Sequence, residues 1–157
     1  MKKLTSFLFL IFVTSCGFSP IYLSNENSII QSVKKIELNG NESLGENIKN
    51  ILNIETNKNN KFLVIFNSSV EKISISKNSS SATTSFMMIM DVGISVIDNN
   101  EILLEKSFNK NFTYNNRDNK FELLEYERSI EENLINEISD EILLYLSLNN
   151  DSQRFSN

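Results

Sequence analysis

Histidine is absent from this 157-residue chain, and cysteine occurs once, at Cys16. Those two scarcities remove Ser-His-Asp chemistry, His-ligated metal sites and intrachain disulfides together. Tryptophan is also absent, proline occurs once, at Pro20, and there are only four glycines. Turns must therefore be read mainly from asparagine and serine, which are plentiful. Basic residues are in the minority, 15 against 20 acidic. Nucleic-acid binders carry the opposite balance, which sets that role aside.

The chain opens on Met1-Lys2-Lys3 and continues through an apolar run from Leu4 to Val13. A basic start followed by about ten apolar residues is the pattern of a signal peptide. A bilayer span needs about twenty. Val13-Thr14-Ser15-Cys16 resembles the lipobox of bacterial lipoproteins, in which the cysteine becomes the first mature residue and carries the lipid. The alternative is a secreted protein with an incidental cysteine. With Cys16 acylated no free thiol remains, and several acyl chains, each methylene contributing ~0.8 kcal/mol, anchor durably. No other cofactor is expected. Gly17 follows the cysteine. By analogy with lipoproteins, the lack of aspartate there points to the outer membrane. Removing residues 1–15 takes Lys2 and Lys3 away and leaves 13 basic against 20 acidic residues, a net charge of −7. The remainder is the size of one ordinary domain.

Residues 16–32 read as a lipidated N-terminus and polar tether, 33–148 as a single domain, and 149–157 as a flexible tail. Val33 to Leu38 forms a strand, and Asn39-Gly40 a turn. Ser43-Leu44-Gly45-Glu46 has the pattern of a capping box opening a helix. Leu44, Ile48, Ile51 and Leu52 line one face of that helix, which should end near Ile54. A second strand runs from Phe62. Its apolar phase moves at Ile73 and Ile75, which suggests a bulge near Ser68-Ser69. From Phe86 to Val96 every second residue is apolar, a strong strand signal. Asp98-Asn99-Asn100 turns the chain into a fourth strand, Ile102 to about Tyr114, giving a hairpin. Asn119 and Glu122 offer another capping box. Ile130, Leu134, Ile138, Ile142 and Leu146 then step by four along a helix. The order β-α-β-β-β-α predicts an α+β domain. It has one four-stranded, largely antiparallel or mixed sheet, with two helices packed on a single face.

Cys16-Gly17-Phe18-Ser19-Pro20-Ile21-Tyr22 resembles the Cys-Gly-Phe-x-Pro-Leu-Tyr opening of the LPS-assembly lipoproteins, the LptE family, with isoleucine for leucine. The order and length of the remaining elements agree with that family. An acidic, alanine-free last helix and Ser81-Ala82-Thr83-Thr84-Ser85 before the middle strand depart from it. The resemblance implies a non-enzymatic outer-membrane lipoprotein. It would bind and plug the β-barrel that inserts lipopolysaccharide, assist its assembly, and touch the glycolipid in transit. The domain would lie on the periplasmic side or within the barrel lumen.

Candidate residues follow from these readings. Phe18, Pro20 and Tyr22 would dock the tether against the barrel, or else only stiffen the exit from the bilayer. Met88 and Met90 share the apolar phase and belong to the core. Met87 and Ile89 point the other way and are candidates for a partner-covered surface, which Leu63 and Ile65 would extend. Lys77 and Arg117, with Lys72, Lys120 and Arg128 nearby in sequence, are candidates for lipid phosphates, against a reading as solvated charges. Glu125/Glu127 and Glu131/Glu132 would be needed for the remote alternative, an envelope glycan hydrolase, but residues one or two apart on a helix do not converge. Another periplasm-facing lipoprotein, serving a lipid-transfer or secretion complex, is the nearer alternative.

Overall fold

The unbroken alternation from Phe86 to Val96 becomes the centre of a long strand, and the sheet is built around it. The computed structural model describes residues 29–154. A 3-10 turn, Ile29–Ser32, leads into β1 (Val33–Gly40), α1 (Glu42–Ile51), β2 (Phe62–Lys77), β3 (Thr83–Asp98), β4 (Glu101–Asn115) and α2 (Lys120–Arg154). The sheet has the order β1-β2-β3-β4. β1 runs parallel to β2, while β2, β3 and β4 are mutually antiparallel. The parallel pair needs a crossover, and α1 supplies it. The expected α+β architecture, β-α-β-β-β-α with a four-stranded mixed sheet, is what forms.

Between the register shifts at Ser74/Ser76 and Val96/Ile97, even-numbered residues of β2, β3 and β4 face the helices. Val64, Phe66, Met88, Met90, Val92, Ile94, Val96, Phe108 and Tyr114 are buried there. Leu44 and Ile48 of α1, and Ile138 and Ile142 of α2, close over them. Each fully buried aliphatic side chain stabilises the fold by roughly 1.5–3 kcal/mol. The β3–β4 turn carries positive φ at both central residues, Asn99 (48°) and Asn100 (71°). That is the backbone whose twist matches paired strands, and asparagine tolerates it.

The body has two distinct ends. At the base lie the start of β1, the β3–β4 turn and the end of α2. There Asn57 N–H donates to Val33 O (3.0 Å) and Lys61 pairs with Asp98 (2.8 Å). At the tip, the β2–β3 loop meets the β4–α2 connection, where Asn116 donates to Thr84 O (2.9 Å) and Thr83 O (2.8 Å). α2 runs back along β4. Tyr114 Oη donates to Glu127 Oε1 near the tip (2.8 Å), and Tyr145 Oη to Glu105 O near the base (3.3 Å). A 16-residue β2 and a 35-residue α2 are both roughly 50 Å long at about 3.3 and 1.5 Å per residue.

Several local expectations are corrected. The first helix is capped by Asn41 rather than Ser43; Asn41 Oδ1 accepts from Leu44 N–H at 3.1 Å. Ser43 lies already inside the helix, and Glu46 bonds Lys49 instead of reaching back (2.9 Å). α1 ends at Ile51, because Leu52 caps it and Asn53 turns to φ 50°. No bulge occurs at Ser68-Ser69; the register with β3 stays in step until Ser74. Ile73 therefore remains on the outer face, 38% exposed, and Ile75, 44% exposed, falls where the register shifts between Ser74 and Ser76. The inner slot between them and the core goes to Lys72, whose ammonium bonds Glu127 and lies 4.2 Å from the centre of the Phe86 ring. A charged residue in a core-facing position breaks the hydrophobic alternation without any change of register. The second cap, Asn119, forms as expected, accepting from Phe121 and Glu122 N–H (3.0 and 3.4 Å) and donating to Glu122 Oε1 (3.0 Å). α2 then continues to Arg154, so the stretch expected as a tail is helical that far.

Candidate functional site

Strand β1 stops where Gly40 (φ 79°) meets Ser68, and a Cβ on Gly40 would sit 2.2 Å from Ser68 O. Beyond that point β2, β3 and β4 carry on without β1 to the tip. The inner face there is filled by a cluster of rings and charges. Phe86 and Tyr114 lie 5.8 Å apart, and Tyr114 and Tyr126 meet edge to face at 6.1 Å. Glu127 accepts from both Lys72 and Tyr114. Burial, reinforced by the Glu127 carboxylate, pushes the Tyr114 phenol well above its ordinary value of 10.0. Both Lys72 and Glu127 occupy apolar-phase positions, one on β2 and one on the Leu123–Ile130 stripe. That coincidence of opposite charges in core-facing slots was the available sequence signal, and it was missed.

Lys77 and Arg117 lie at this same end of the sheet, on either side of β3. Lys77 closes β2 opposite Thr83, and Arg117 follows Asn116, which is bonded to Thr83 O. The Arg117 guanidinium stacks 4.2 Å from the centre of the Tyr126 ring. Neither residue, nor Lys120 at the start of α2, has a carboxylate partner among the described residues. Stacking orients the guanidinium while leaving its donors open for an anion. Lys72 and Arg128 are not part of this group, being paired with Glu127 and with Glu125 (2.8 Å).

The outer face of the sheet is unpartnered within the chain. Its register sets Leu63, Ile97 and Ile102 in one row near the base, and Ile73 beside Met87 near the tip. Ile89 lies one step below Met87, between Glu71 and Asn111. Met87 and Ile89 thus sit on the expected face, both half-buried, beside exposed Ile73 and Ile75. Leu63 and Ile65 do not extend this patch. They lie on the same face but toward the other end, roughly 20–33 Å away at about 3.3 Å per residue. Polar rows separate the two ends, with Asn39, Asn67, Gly93 and Ser107, then Ser69, Asp91 and Asn109. They are tied across strands by Asn39–Asn67 (3.0 Å) and Asn109–Asp91 (2.6 Å) bonds.

At the base, a cavity of about 430 Å³ opens between the 3-10 turn and the α1–β2 connection, lined by Ile30, Gln31, Asn53, Glu55, Thr56, Asn57 and Asn60. Of the first pair of helix carboxylates, Glu125 is engaged by Arg128 and Glu127 by Lys72 and Tyr114. No cluster among the described residues could hold a metal, and no described helix is long and apolar enough to cross a membrane. Cys16, Phe18, Pro20 and Tyr22 lie outside the described residues.

No protein-family model matches the chain, and no curated protein matches it in sequence. Solved structures do match its shape. Rare lipoprotein B from Shewanella oneidensis superposes with a TM-score of 0.57 at 12% identity, over 77% of this chain and 99% of that one. The fold is the one these lipoproteins share. Lipoprotein B from Nitrosomonas europaea gives a TM-score of 0.54 at 13% identity, over 72% of this chain and 81% of its own. A minor lipoprotein from Acinetobacter baumannii gives 0.54 at 13%, over 76% and 94%. The likeness rests on shape, because sequence identity at this level has fallen away almost completely.

Proposed function

We propose that the chain is a lipoprotein, acylated on Cys16, that acts by binding within the outer-membrane β-barrel which inserts lipopolysaccharide. The observation that carries this reading is a coincidence of two independent features. One is the fold, shared with bacterial lipoproteins along most of their length. The other is the Cys16-Gly17-Phe18-Ser19-Pro20-Ile21-Tyr22 opening. The dimensions support it. A body roughly 50 Å long exceeds the ~30 Å hydrocarbon core, so it would fill a barrel from one interface to the other. Barrel lumens are polar, and the amide- and hydroxyl-rich middle of the outer sheet face suits such a wall. Met87 and Ile89, with Ile73, would be apolar anchors near the tip. Phe18, Pro20 and Tyr22 would hold the tether. Lys77 and Arg117 would meet glycolipid phosphates at the tip.

Affinity capture of the acylated chain from detergent-solubilised outer membrane tests the partner. Recovery of a large heat-modifiable β-barrel is the expected result. Recovery of a different envelope complex, or of none, would overturn the barrel reading in favour of another lipoprotein role. For the glycolipid, the pair Lys77→Glu and Arg117→Glu should lower lipopolysaccharide binding at least about tenfold by removing two charge-assisted contacts. Unchanged binding would return both residues to solvated charges.

A further inference from the structure

The sheet ends on β4, and among the described residues no strand pairs with its outer side. The hydrogen-bond phase of that edge follows from the opposite one. Asn41 N–H donates to Ser68 O, so the even residues of β2 address the β1 side. Antiparallel pairing alternates residue by residue, and β3 and β4 stay in step from Leu104 to Asn115. Carried across β3, the alternation turns the even residues of β4 toward β3 and the odd ones toward the open edge. The bond from Tyr145 Oη to Glu105 O agrees, since α2 reaches that carbonyl from the open side. Ser107, Asn109, Asn111 and Thr113 therefore each hold out one N–H and one C=O, and all four residues are exposed. The row is about 20 Å long at about 3.4 Å per residue. Beside it, Phe112 points to the inner face yet is 43% exposed, whereas Phe108 and Tyr114 are buried on that face. Inward lysines commonly deter pairing at an edge. Here both are held against the body, Lys110 by Glu141 and Glu137 of α2, and Lys106 over the Phe108 and Tyr145 rings (5.1 and 5.0 Å).

We propose that the β4 edge from Ser107 to Thr113 is a strand-addition site for an extended segment of the barrel. That segment would form a fifth strand and lay alternate side chains over Phe112. This rests on the reading of the partner as a barrel. The chemistry selects the occupant. Donors and acceptors alternating along an edge match an extended peptide backbone, which an acyl chain cannot supply. The chain's own residues 16–28 lead into β1, at the far side of the sheet, and the acylated Cys16 commits them to the bilayer. A second copy would set 13 basic and 20 acidic residues against the same again, with Glu137 and Glu141 flanking the joint from both sides. The site is also continuous with the outer-face anchors, because Met87 and Ile89 stand opposite Thr113 and Asn111. The strands of a closed barrel are all paired, so the added segment is one that leaves the wall and enters the lumen.

The test uses the acylated chain and the barrel captured with it in detergent. Amide hydrogen exchange is read residue by residue. Ser107, Asn109, Asn111 and Thr113 should exchange freely in the isolated chain and be slowed at least about tenfold in the complex. Lys72 and Ser74, open on the opposite edge beyond Gly40, control for shielding by the lumen and should not be slowed to the same extent. A pair of variants reads the same bonds through affinity. Proline is tolerated at edge positions whose N–H faces outward, and it deletes that donor. Asn109→Pro with Asn111→Pro should bind the barrel at least about tenfold more weakly than Asn109→Ala with Asn111→Ala, which loses the same side chains and keeps both N–H groups. Where the proline pair does not fold, the exchange of the unmodified chain decides alone. Edge amides that stay fast in the complex, or that slow no more than Lys72 and Ser74, would overturn the inference and leave the barrel reading standing. Equal binding by two folded pairs would do the same. Slowed edge amides in a chain of doubled mass without the barrel would assign the edge to a second copy and overturn it as well. Failure to capture any barrel would remove the proposed partner and this inference together.

Discussion

Ser139 is 1% exposed on α2, between Ile135, Ile138 and Ile142 of the buried stripe. Its hydroxyl is the one buried side-chain polar atom among the described residues that has no hydrogen-bond partner. An unsatisfied buried hydroxyl costs about 1–3 kcal/mol of desolvation. Ser139→Ala removes that cost and gains about 0.5 kcal/mol of helix propensity. Against this stands the void left by a single oxygen, a few tenths of a kcal/mol. The net expectation is a stabilisation of about 1–2 kcal/mol. For a domain of this size that is a rise in Tm of about 3–8 °C. Urea unfolding followed by far-UV circular dichroism, at equal m-values, measures it directly. A variant of unchanged or lower stability would refute the reasoning. It would mean that the hydroxyl is satisfied and that α2 contributes a polar contact to the core rather than a defect.

Other substitutions probe the joints of the fold and the anchor. Gly40→Ala should cost at least about 2 kcal/mol, because an L residue at positive φ is strained and its Cβ would strike Ser68 O; chemical denaturation reads this, and a loss under 0.5 kcal/mol would refute it. Asn41→Ala should cost about 1 kcal/mol through loss of the α1 cap, whereas Ser43→Ala should be near neutral by the same measurement. Tyr114→Phe should cost about 1–2 kcal/mol at neutral pH by removing a bond to the Glu127 carboxylate. The folded phenol titrates above its unfolded value, so that stabilisation is intact below about pH 10 and is lost as pH rises beyond it. Unfolding curves of the wild type and Tyr114→Phe should therefore converge above pH 10, and a gap that widens would have the wrong sign. Cys16→Ser should shift the protein from the membrane to the soluble fraction on cell fractionation.

Much of the fold was legible because periodicity is a local property. The β3 alternation and the four-residue steps of α2 each report which side of one element is apolar, and burial then follows. Asn99 and Asn100 announced a tight hairpin by their tolerance of positive φ. The candidate sites were less legible. Met87 and Ile89 could be assigned to the outer face, since that requires only the phase of one strand. Whether Leu63 and Ile65 continued the same patch depended on distance along the sheet, and the polar rows between them separate the two. Lys77 and Arg117 are 40 residues apart in the chain. Their lying at one end depends on the β2–β3 and β4–α2 connections folding to the same end.

Element type, the hydrophobic faces and the absence of histidine could all be read from the residues in order. The tertiary structure decided which charges could pair at the rim of the core. Lys72 and Glu127 are 55 positions apart, and they stand at the rim of the core, their side chains 38% and 16% exposed. Together, with Tyr114, they satisfy one another, so neither position needs an apolar residue or a bulge. The same holds for the first helix. Ser43 carries the commoner capping signature, yet Asn41 takes the role, because Gly40 ends β1 against Ser68 and Asn41 N–H is held by Ser68 O at 2.7 Å. A helix starts where the preceding strand is released, and that point is set by a neighbour 27 residues away in the chain.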